Sequence, residues 1–550
     1  MKYLSNRIIE LSIILIASLL FIPFLGNVHL FDWDEINFAE AAREMIVTKN
    51  YITVQIDFQA FWEKPPLFIW MQVLSMKIFG INEFAARFPN AICGIVTLLI
   101  LFRVGKNLIG TSFGLLWTLV YLCSVLPFFY FKSGIIDPWF NLFIFLGTYY
   151  AFQYVLALEN RKKNQFAALS GLFIGLGILT KGPVALLIFG LTIAIFYIIK
   201  LFKVKVKFTH ILLFTVVLIL VGGFWFILQM INGNFKVIED FFVYQLRLFR
   251  TEDAGHGGFL LYHFVVIFLG VFPASIFALK SILHQKRDEY EKVHEFKNWM
   301  TILFWVVLIL FTIVKTKIVH YSSMCYFPLT FLGALMIFKI QEQKQVIPRW
   351  IKGFLLGVAT FWGLILVGLQ LIVHYKDNII ASGIINDPFA NGNLQANVSW
   401  TGFEFLIGVI FIVGIYALLI PKNFKLETRI YGTLLLTLGL TYSTMVVIVP
   451  RIEGYTQRAA IEFYKVKQHE DCYVETLGFK SYADLFYLNK QKPTNTNAWN
   501  EQWLIKGNID KPVYFVIKNY MSKIYLDQNP KIKILYEKNG FIFAKREINN

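Results

Sequence analysis

The chain has 550 residues, of which 57% are hydrophobic and only 16% charged, with a formal charge of +17. Soluble domains are nearer one half apolar and one quarter charged, so this composition excludes an ordinary soluble protein and marks an integral membrane protein. The basic balance does not signal nucleic acid, because the lysines and arginines fall in short clusters between apolar runs instead of on one soluble domain. Cys93, Cys123, Cys325 and Cys472 form neither a CxxC nor a Cys/His metal spacing.

Basic residues from Met1 to Arg7 lead into the apolar stretch Ile8 to Leu25, which is too long, and lacks the small-residue cleavage site, for a typical signal peptide. It reads as an uncleaved first span. Apolar runs long enough for a bilayer of roughly 30 Å recur, near 8–26, 89–109, 112–130, 138–157, 166–180, 183–200, 211–231, 259–283, 299–314, 318–338, 350–374, 402–420 and 430–450. The expectation is a mainly α polytopic membrane protein of about thirteen transmembrane helices.

After the first span comes a polar stretch, Phe31 to Trp70. Its first half predicts a helix near 32–48, with Asp32 as cap, Glu35 three residues on as in a capping box, and Phe38, Ala42, Met45 and Ile46 on one apolar face. Such a helix lies on the membrane interface rather than crossing it. Glu63-Lys64-Pro65-Pro66 then forces an extended turn, since proline disfavours helix at the residue before it and lacks an amide donor. Neighbours on a helix point about 100° apart, so of Asp34 and Glu35 one can face a cavity while the other holds the helix or a neighbouring base. Both can equally be solvated acids that favour the helix dipole.

Further along, Asp137-Pro138 opens the fourth run with a well-matched helix start, yet an ionised carboxylate at a membrane cavity is also a functional candidate. Lys181-Gly182-Pro183 interrupts the next pair of runs. Lys181 and Lys64 fall in outer turns, against the usual bias of lysine toward the cytoplasm, and can bind phosphate as point charges or simply snorkel. Residues 235–250 predict a second interfacial helix, with Ile238, Phe241, Phe242, Leu246 and Phe249 at helical spacing and Arg247 and Arg250 near its end. Gly255-His256-Gly257-Gly258 follows. His256 can bind a phosphate oxygen or a metal, although a lone loop histidine usually does neither and a metal needs a partner such as Glu63.

With the N-terminus in the cytoplasm, the clusters around Arg103, Arg161, Lys203, Lys286, Arg349 and Lys425 all fall on the cytoplasmic side. Asp34, Asp137, Lys181 and the segment 232–258 then share the outer face. From about Arg451 the composition turns mixed. YVETLGF, PVYFVI, KIKILYE and GFIFAK read as strands and SYADLFYL as a short helix, which predicts a transmembrane domain over 1–450 and a small outer-face α/β domain over 451–550.

DE-x-x-x-AE at Asp34 to Glu40, EKPP at Glu63 to Pro66, FAARFPN at Phe84 to Asn90, Asp137-Pro138, TKGP at Thr180 to Pro183 and GHGG at Gly255 to Gly258, in this order, resemble the C-superfamily glycosyltransferases. The nearest pattern is that of bacterial lipid A aminoarabinose transferases and protein O-mannosyltransferase-like enzymes. The resemblance implies transfer of a sugar from a polyprenyl-phosphate donor to a lipid or protein acceptor at the outer face of the cytoplasmic (inner) membrane, with inversion. It implies Asp34 as base or acceptor-orienting group, Asp137 as a second acid beside Glu35, Glu63 and Lys64 lining the cavity, and Lys181 with Arg247 or Arg250 on the donor phosphate. It also implies a divalent metal at Glu63 and His256 in some members. The motif departs from the aminoarabinose transferases at Asn37 and Phe38, where they usually show arginine and tyrosine.

A transporter or lipid flippase is the main competitor from another class. Transporters usually place ionisable groups at the bilayer midplane, whereas here they gather at one rim, which favours an interfacial enzyme. An oligosaccharide ligase or polymerase shares the topology and differs in moving whole glycan chains.

Overall fold

A computed structural model describes residues 6–250, 257–283, 291–421 and 423–548, with the backbone alone at 248–250. The architecture is mainly helical. Among the described residues, five helices are long and apolar enough to cross a membrane: Glu83–Leu108, Glu291–Ile313, Val319–Glu342, Arg349–His374 and Leu426–Thr456. Two further pairs are bent, Phe208–Gly222 with Phe224–Ile231 at 54° and Tyr262–Gly270 with Ala274–Leu283 at 118°. The runs 211–231 and 259–283, expected as single spans, therefore break, at a glycine pair and before Pro273. Leu67–Phe79, Thr111–Leu122, Val184–Ile199 and Phe405–Leu419 are apolar but shorter.

Runs 166–180 and 183–200 form separate helices, Asn160–Lys181 and Val184–Ile199. The joint is Gly182, at φ 95°, a conformation that a Cβ strains. A Cβ there would also sit 2.8 Å from the Phe241 ring. The glycine thus lets the helix Phe235–Arg250 pack on the Lys181 turn. That helix buries Ile238, Phe241 and Tyr244 and exposes Phe242, Val243 and Leu246.

The helix expected near 32–48 is Asp34–Thr48, and it is not an interfacial helix with one wet face. Every residue from Glu35 to Met45 is buried. The reason is a cover: Ile461, Tyr464, Phe486 and Tyr487 join Ile36, Phe38 and Met45 in one apolar cluster. The polar residues inside this contact pair with each other, Arg43 donating to Glu40 at 2.7 and 2.5 Å. Asp32 does not cap the helix. Trp33 holds the cap position at φ 73° without a side-chain bond, a costly conformation for a bulky residue. Asp32 Oδ1 instead accepts from the Tyr482 amide at 3.1 Å, and its Oδ2 accepts from the Ser481 hydroxyl. Neither half of the capping box forms: Glu35 Oε2 accepts from the Phe31 amide at 2.9 Å, one residue before the expected cap, and the Asp32 amide donates to Gln457 Oε1 at 3.3 Å.

At the other end, the rod that starts at Leu426 continues through a π-turn at Thr444–Ile448 to Thr456. The boundary expected at 451 thus falls inside a helix, because the composition changes before the helix ends. Beyond the helix Arg458–Lys467 stand β3 (Tyr473–Leu477), β4 (Val513–Lys518), β5 (Ile532–Lys538) and β6 (Phe541–Arg546), in the order β3-β4-β6-β5, after a two-residue-strand hairpin of β1 (Gln55–Ile56) and β2 (Gln59–Ala60) earlier in the chain. β3 and β4 are parallel and the other pairs antiparallel. Asn539-Gly540 closes the β5–β6 hairpin with φ of 54° and 81°, the turn chemistry that matches strand twist.

Loss of the Asp32 bonds leaves the Tyr482 amide unpaired, at a cost of about 1–3 kcal/mol. Asp32→Ala is expected to speed amide hydrogen exchange over 481–488 while leaving the helix Glu83–Leu108 protected; unchanged exchange at 481–488 would refute the tether.

Candidate active site

A cavity of about 810 Å³ opens between the helix Asp34–Thr48, the turn before Asp137, the Lys181 turn and the start of the helix after Ile318. Its position is set by Arg87. All five guanidinium donors are used: Nε and Nη2 reach the two oxygens of Glu35 at 2.9 and 2.7 Å, and Nη1 and Nη2 reach the carbonyls of Leu25, Val28 and His29 at 2.8, 2.7 and 3.0 Å. Glu35 Oε1 also accepts from the Gly134 amide at 2.6 Å. Three residues further along the same helix face, Asn90 donates to the carbonyls of Ser133 and Ile135 at 2.7 and 2.6 Å. The motif FAARFPN therefore has a physical meaning. Its arginine fixes the chain before Asp34, and its asparagine fixes the chain before Asp137.

Burial alone would raise the Glu35 carboxyl, but the Arg87 guanidinium and the Phe31 and Gly134 amides hold it below the ordinary carboxylate range. With both oxygens engaged, Glu35 is not open to act as a base, which corrects its grouping with the catalytic carboxylates. It positions its neighbour. Asp34 has 40% of its side chain exposed and lines the cavity, with Oδ2 3.5 Å from His320 Nε2. Asp137 is the first residue of the helix Asp137–Leu156, behind Ile136 at the cap. Its side chain turns from its own backbone to Lys181, whose Nζ donates to Oδ1 at 2.6 Å. Asp137 Oδ2 lies 3.9 Å from the same His320 nitrogen. Asp34, His320, Asp137 and Lys181 thus make one polar row along the wall.

Opposite charge gathers on that wall. Lys181 Nζ lies 5.6 and 5.1 Å from the ring centres of Phe140 and Tyr321. Lys64 and Arg247 each stand 5.1 Å from the Tyr244 ring, brought together by the helix Phe235–Arg250. Burial holds the Lys64 ammonium below its ordinary value, and the nearby Lys181 adds to this against the pull of Glu63, Asp34 and Asp137. Glu63 lines the cavity beside them, its carbonyl accepting from Gln245 at 3.4 Å. Arg250 ends the helix, and His256 lies outside the described residues. Among the described residues no three His, Cys, Asp or Glu side chains converge on one point. Glu63 offers one carboxylate to the implied divalent metal, and no step below runs through one.

Sequence reading missed Arg87, Asn90, His320 and Lys480, the last reaching the cavity from the C-terminal strands and stacked 5.5 Å from the Trp33 ring. Arg87 and His320 were detectable as ionisable residues within or at the edge of apolar runs, a placement that is costly without a role.

An open carboxylate and several fixed cations share one cavity at the rim of apolar helices, an arrangement suited to moving a group away from a phosphate. Residues 63–225 match the family described as dolichyl-phosphate-mannose-protein mannosyltransferase. The chain is similar to the undecaprenyl phosphate-alpha-4-amino-4-deoxy-L-arabinose arabinosyl transferase 2 of Proteus mirabilis, 24% identical over 380 residues that cover 66% of this chain and 67% of that one. A second similar protein is the corresponding transferase of Yersinia pestis, 27% identical over 360 residues, 64% and 63% of the two chains. In fold it resembles ArnT from Cupriavidus metallidurans, solved bound to undecaprenyl phosphate, with a TM-score of 0.74 at 15% identity over 98% of both chains. Over about two thirds of its length the chain is thus similar to undecaprenyl-phosphate-dependent arabinosyl transferases. It is a multi-pass membrane glycosyltransferase.

Removing one member of a buried ion pair costs about 3–5 kcal/mol. Glu35→Gln is therefore expected to lower the melting temperature of the detergent-solubilised protein by several degrees, whereas Asp34→Asn leaves it within about 1 °C because Asp34 holds no buried charge in place. Equal destabilisation by both would contradict the division of labour.

Proposed function

We propose that this protein transfers a sugar from an undecaprenyl-type polyprenyl phosphate to an acceptor at the outer face of the cytoplasmic membrane, with inversion at the anomeric carbon. A lipid of the lipid A kind is the first acceptor to test and a protein hydroxyl the second, the latter suggested by the family match over residues 63–225. The observation that carries the reading is the arrangement of one cavity, lined by the open carboxylate of Asp34 and by the cations Lys181, Lys64 and Arg247. The orientation rests on the basic clusters of the expected cytoplasmic turns, and the about thirteen crossings rest on the apolar runs of the sequence.

In this reading the donor phosphate sits on Lys181, Lys64 and Arg247. The acceptor hydroxyl oxygen attacks the anomeric carbon from the opposite face, and the bond from that carbon to the phosphate oxygen breaks. The phosphate leaves with the electron pair, while the hydroxyl proton passes to the Asp34 carboxylate. Fixed cations stabilise the charge that grows on the leaving phosphate. A positioned base supplies about 10²–10⁴-fold. Asp137 keeps the Lys181 ammonium aimed into the cavity, and His320 spaces the two aspartates. Glu63 borders the acceptor side, beside Lys480.

Two measurements test the donor site. Lys181→Ala is expected to weaken binding of undecaprenyl phosphate at least about tenfold, as loss of a charge-assisted bond does; wild-type affinity in that variant would remove Lys181 from the site. Anion binding favours the protonated form of Lys64, so affinity is full below its titration and falls as pH rises through it. Since burial lowers that titration, the alkaline loss of affinity is expected at a lower pH than for an ordinary lysine, and Lys64→Arg is expected to move it up. An alkaline limb unmoved by Lys64→Arg would assign the loss to another group.

A further inference from the structure

A second cavity, of about 690 Å³, lies between the C-terminal strands and the loop 56–63, and it shares Glu63 and Lys480 with the catalytic cavity. Nothing in the transfer chemistry above uses its far end. Glu475 projects from β3, Asp484 from the helix Ala483–Leu488, and Asp57 from the β1–β2 turn opposite; Lys490 spans the gap, its Nζ 2.7 Å from Asp57 Oδ1. Five carboxylates, Asp57, Glu63, Glu475, Asp484 and Glu501, face two lysines, Lys480 and Lys490. Asp484 is 4% exposed, and its Oδ1 has no hydrogen-bond partner.

A buried, unsatisfied carboxylate oxygen is costly unless a donor fills it. The surroundings show the same excess of negative potential. Burial, with the charge of Asp57 beside it, pushes Glu475 up to about 7 against the pull of Lys490. Burial and Glu475 raise Asp484, and the carboxylates of Asp57, Glu475 and Asp484 raise Lys490 in spite of its own burial. A bare metal ion is not the missing partner, since no three of these carboxylates converge on one point among the described residues. Trp62 and Tyr525 add aromatic walls. Carboxylates with aromatic faces suit an organic ammonium on a ring, which takes hydrogen bonds at the charge and stacking on its apolar face.

We infer that this pocket is an acceptor subsite for a sugar carrying an unsubstituted amino group, held by Asp484 and Glu475 while the hydroxyl to be glycosylated reaches toward Asp34 past Glu63 and Lys480, which line both cavities. The inference rests on the glycosyl-transfer reading of the first cavity and adds the chemistry of the acceptor. The C-terminal strands are then a specificity wall, and the donor chain enters from the opposite side at Lys181.

Binding of methyl glucosaminide to the full-length protein in detergent tests it, with the N-acetyl analogue and methyl glucoside as probes of the same ring without the charge. The amine is expected to bind at least about tenfold tighter than either neutral sugar, and Asp484→Asn and Glu475→Gln each to remove most of that preference while undecaprenyl phosphate affinity stays at the wild-type value. Trp62→Ala, distant from the buried carboxylates in sequence, is expected to weaken all three sugars and serves where Asp484→Asn lowers the melting temperature. Equal affinity for the three sugars would overturn the inference, as would a preference insensitive to both carboxylate variants. Displacement of the amino sugar by undecaprenyl phosphate would also overturn it, by placing the site on the donor path. Loss of undecaprenyl phosphate binding in wild type would instead defeat the reading of the first cavity.

Discussion

The buried pairing of Arg87 with Glu35 is the constraint on which the cavity depends. An isolated charge in an apolar setting is too costly to persist, so the helix Glu83–Leu108 and the helix Asp34–Thr48 that carries Glu35 must meet for either charge to be tolerated. Because the guanidinium also takes the carbonyls of Leu25, Val28 and His29, it joins the end of the first apolar helix to the start of the next polar one. Lysine has neither the donor number nor the fork to replace it. The consequence is directional: with Glu35 turned toward Arg87, the adjacent Asp34 is left on the cavity side.

A second layer of the same logic sets the rest of the wall. Asn90 fixes the backbone before Asp137, Asp137 fixes Lys181, and Gly182 allows Phe241 close enough to bring Lys64 and Arg247 in around Tyr244. The groups on the cavity wall are therefore held in place by hydrogen bonds and packing from residues behind them, the kind of preorganisation that group transfer needs. The C-terminal strands are part of this arrangement. Through Asp32, Ser481 and Tyr482 they cover the helix Asp34–Thr48, and they bring Lys480 to the mouth.

Much of this was legible in the sequence wherever polar residues interrupt apolar runs. The turns at Glu63-Lys64, Asp137 and Lys181 stood out by placement, and the four strands by their mixed polar and apolar composition. What was hidden depends on distant parts of the chain. Asp32 looked like a cap because its partner lies 450 residues away, and the helix Asp34–Thr48 looked amphipathic because its cover comes from the C-terminal region. Glu35 looked as reactive as Asp34, since only the position of Arg87 tells them apart. Hidden too were the bends, because length and hydropathy do not reveal that the helices break at Gly222-Gly223 and before Pro273.

The most direct test of glycosyl transfer from the Asp34 cavity is mass spectrometry of envelope lipids, lipid A in particular, from the native strain with wild-type protein or Asp34→Asn at matched expression. The account predicts that one lipid species loses a single sugar mass in the variant. An identical lipid profile, with periplasmic proteins and oligosaccharides also unchanged in mass, would contradict it.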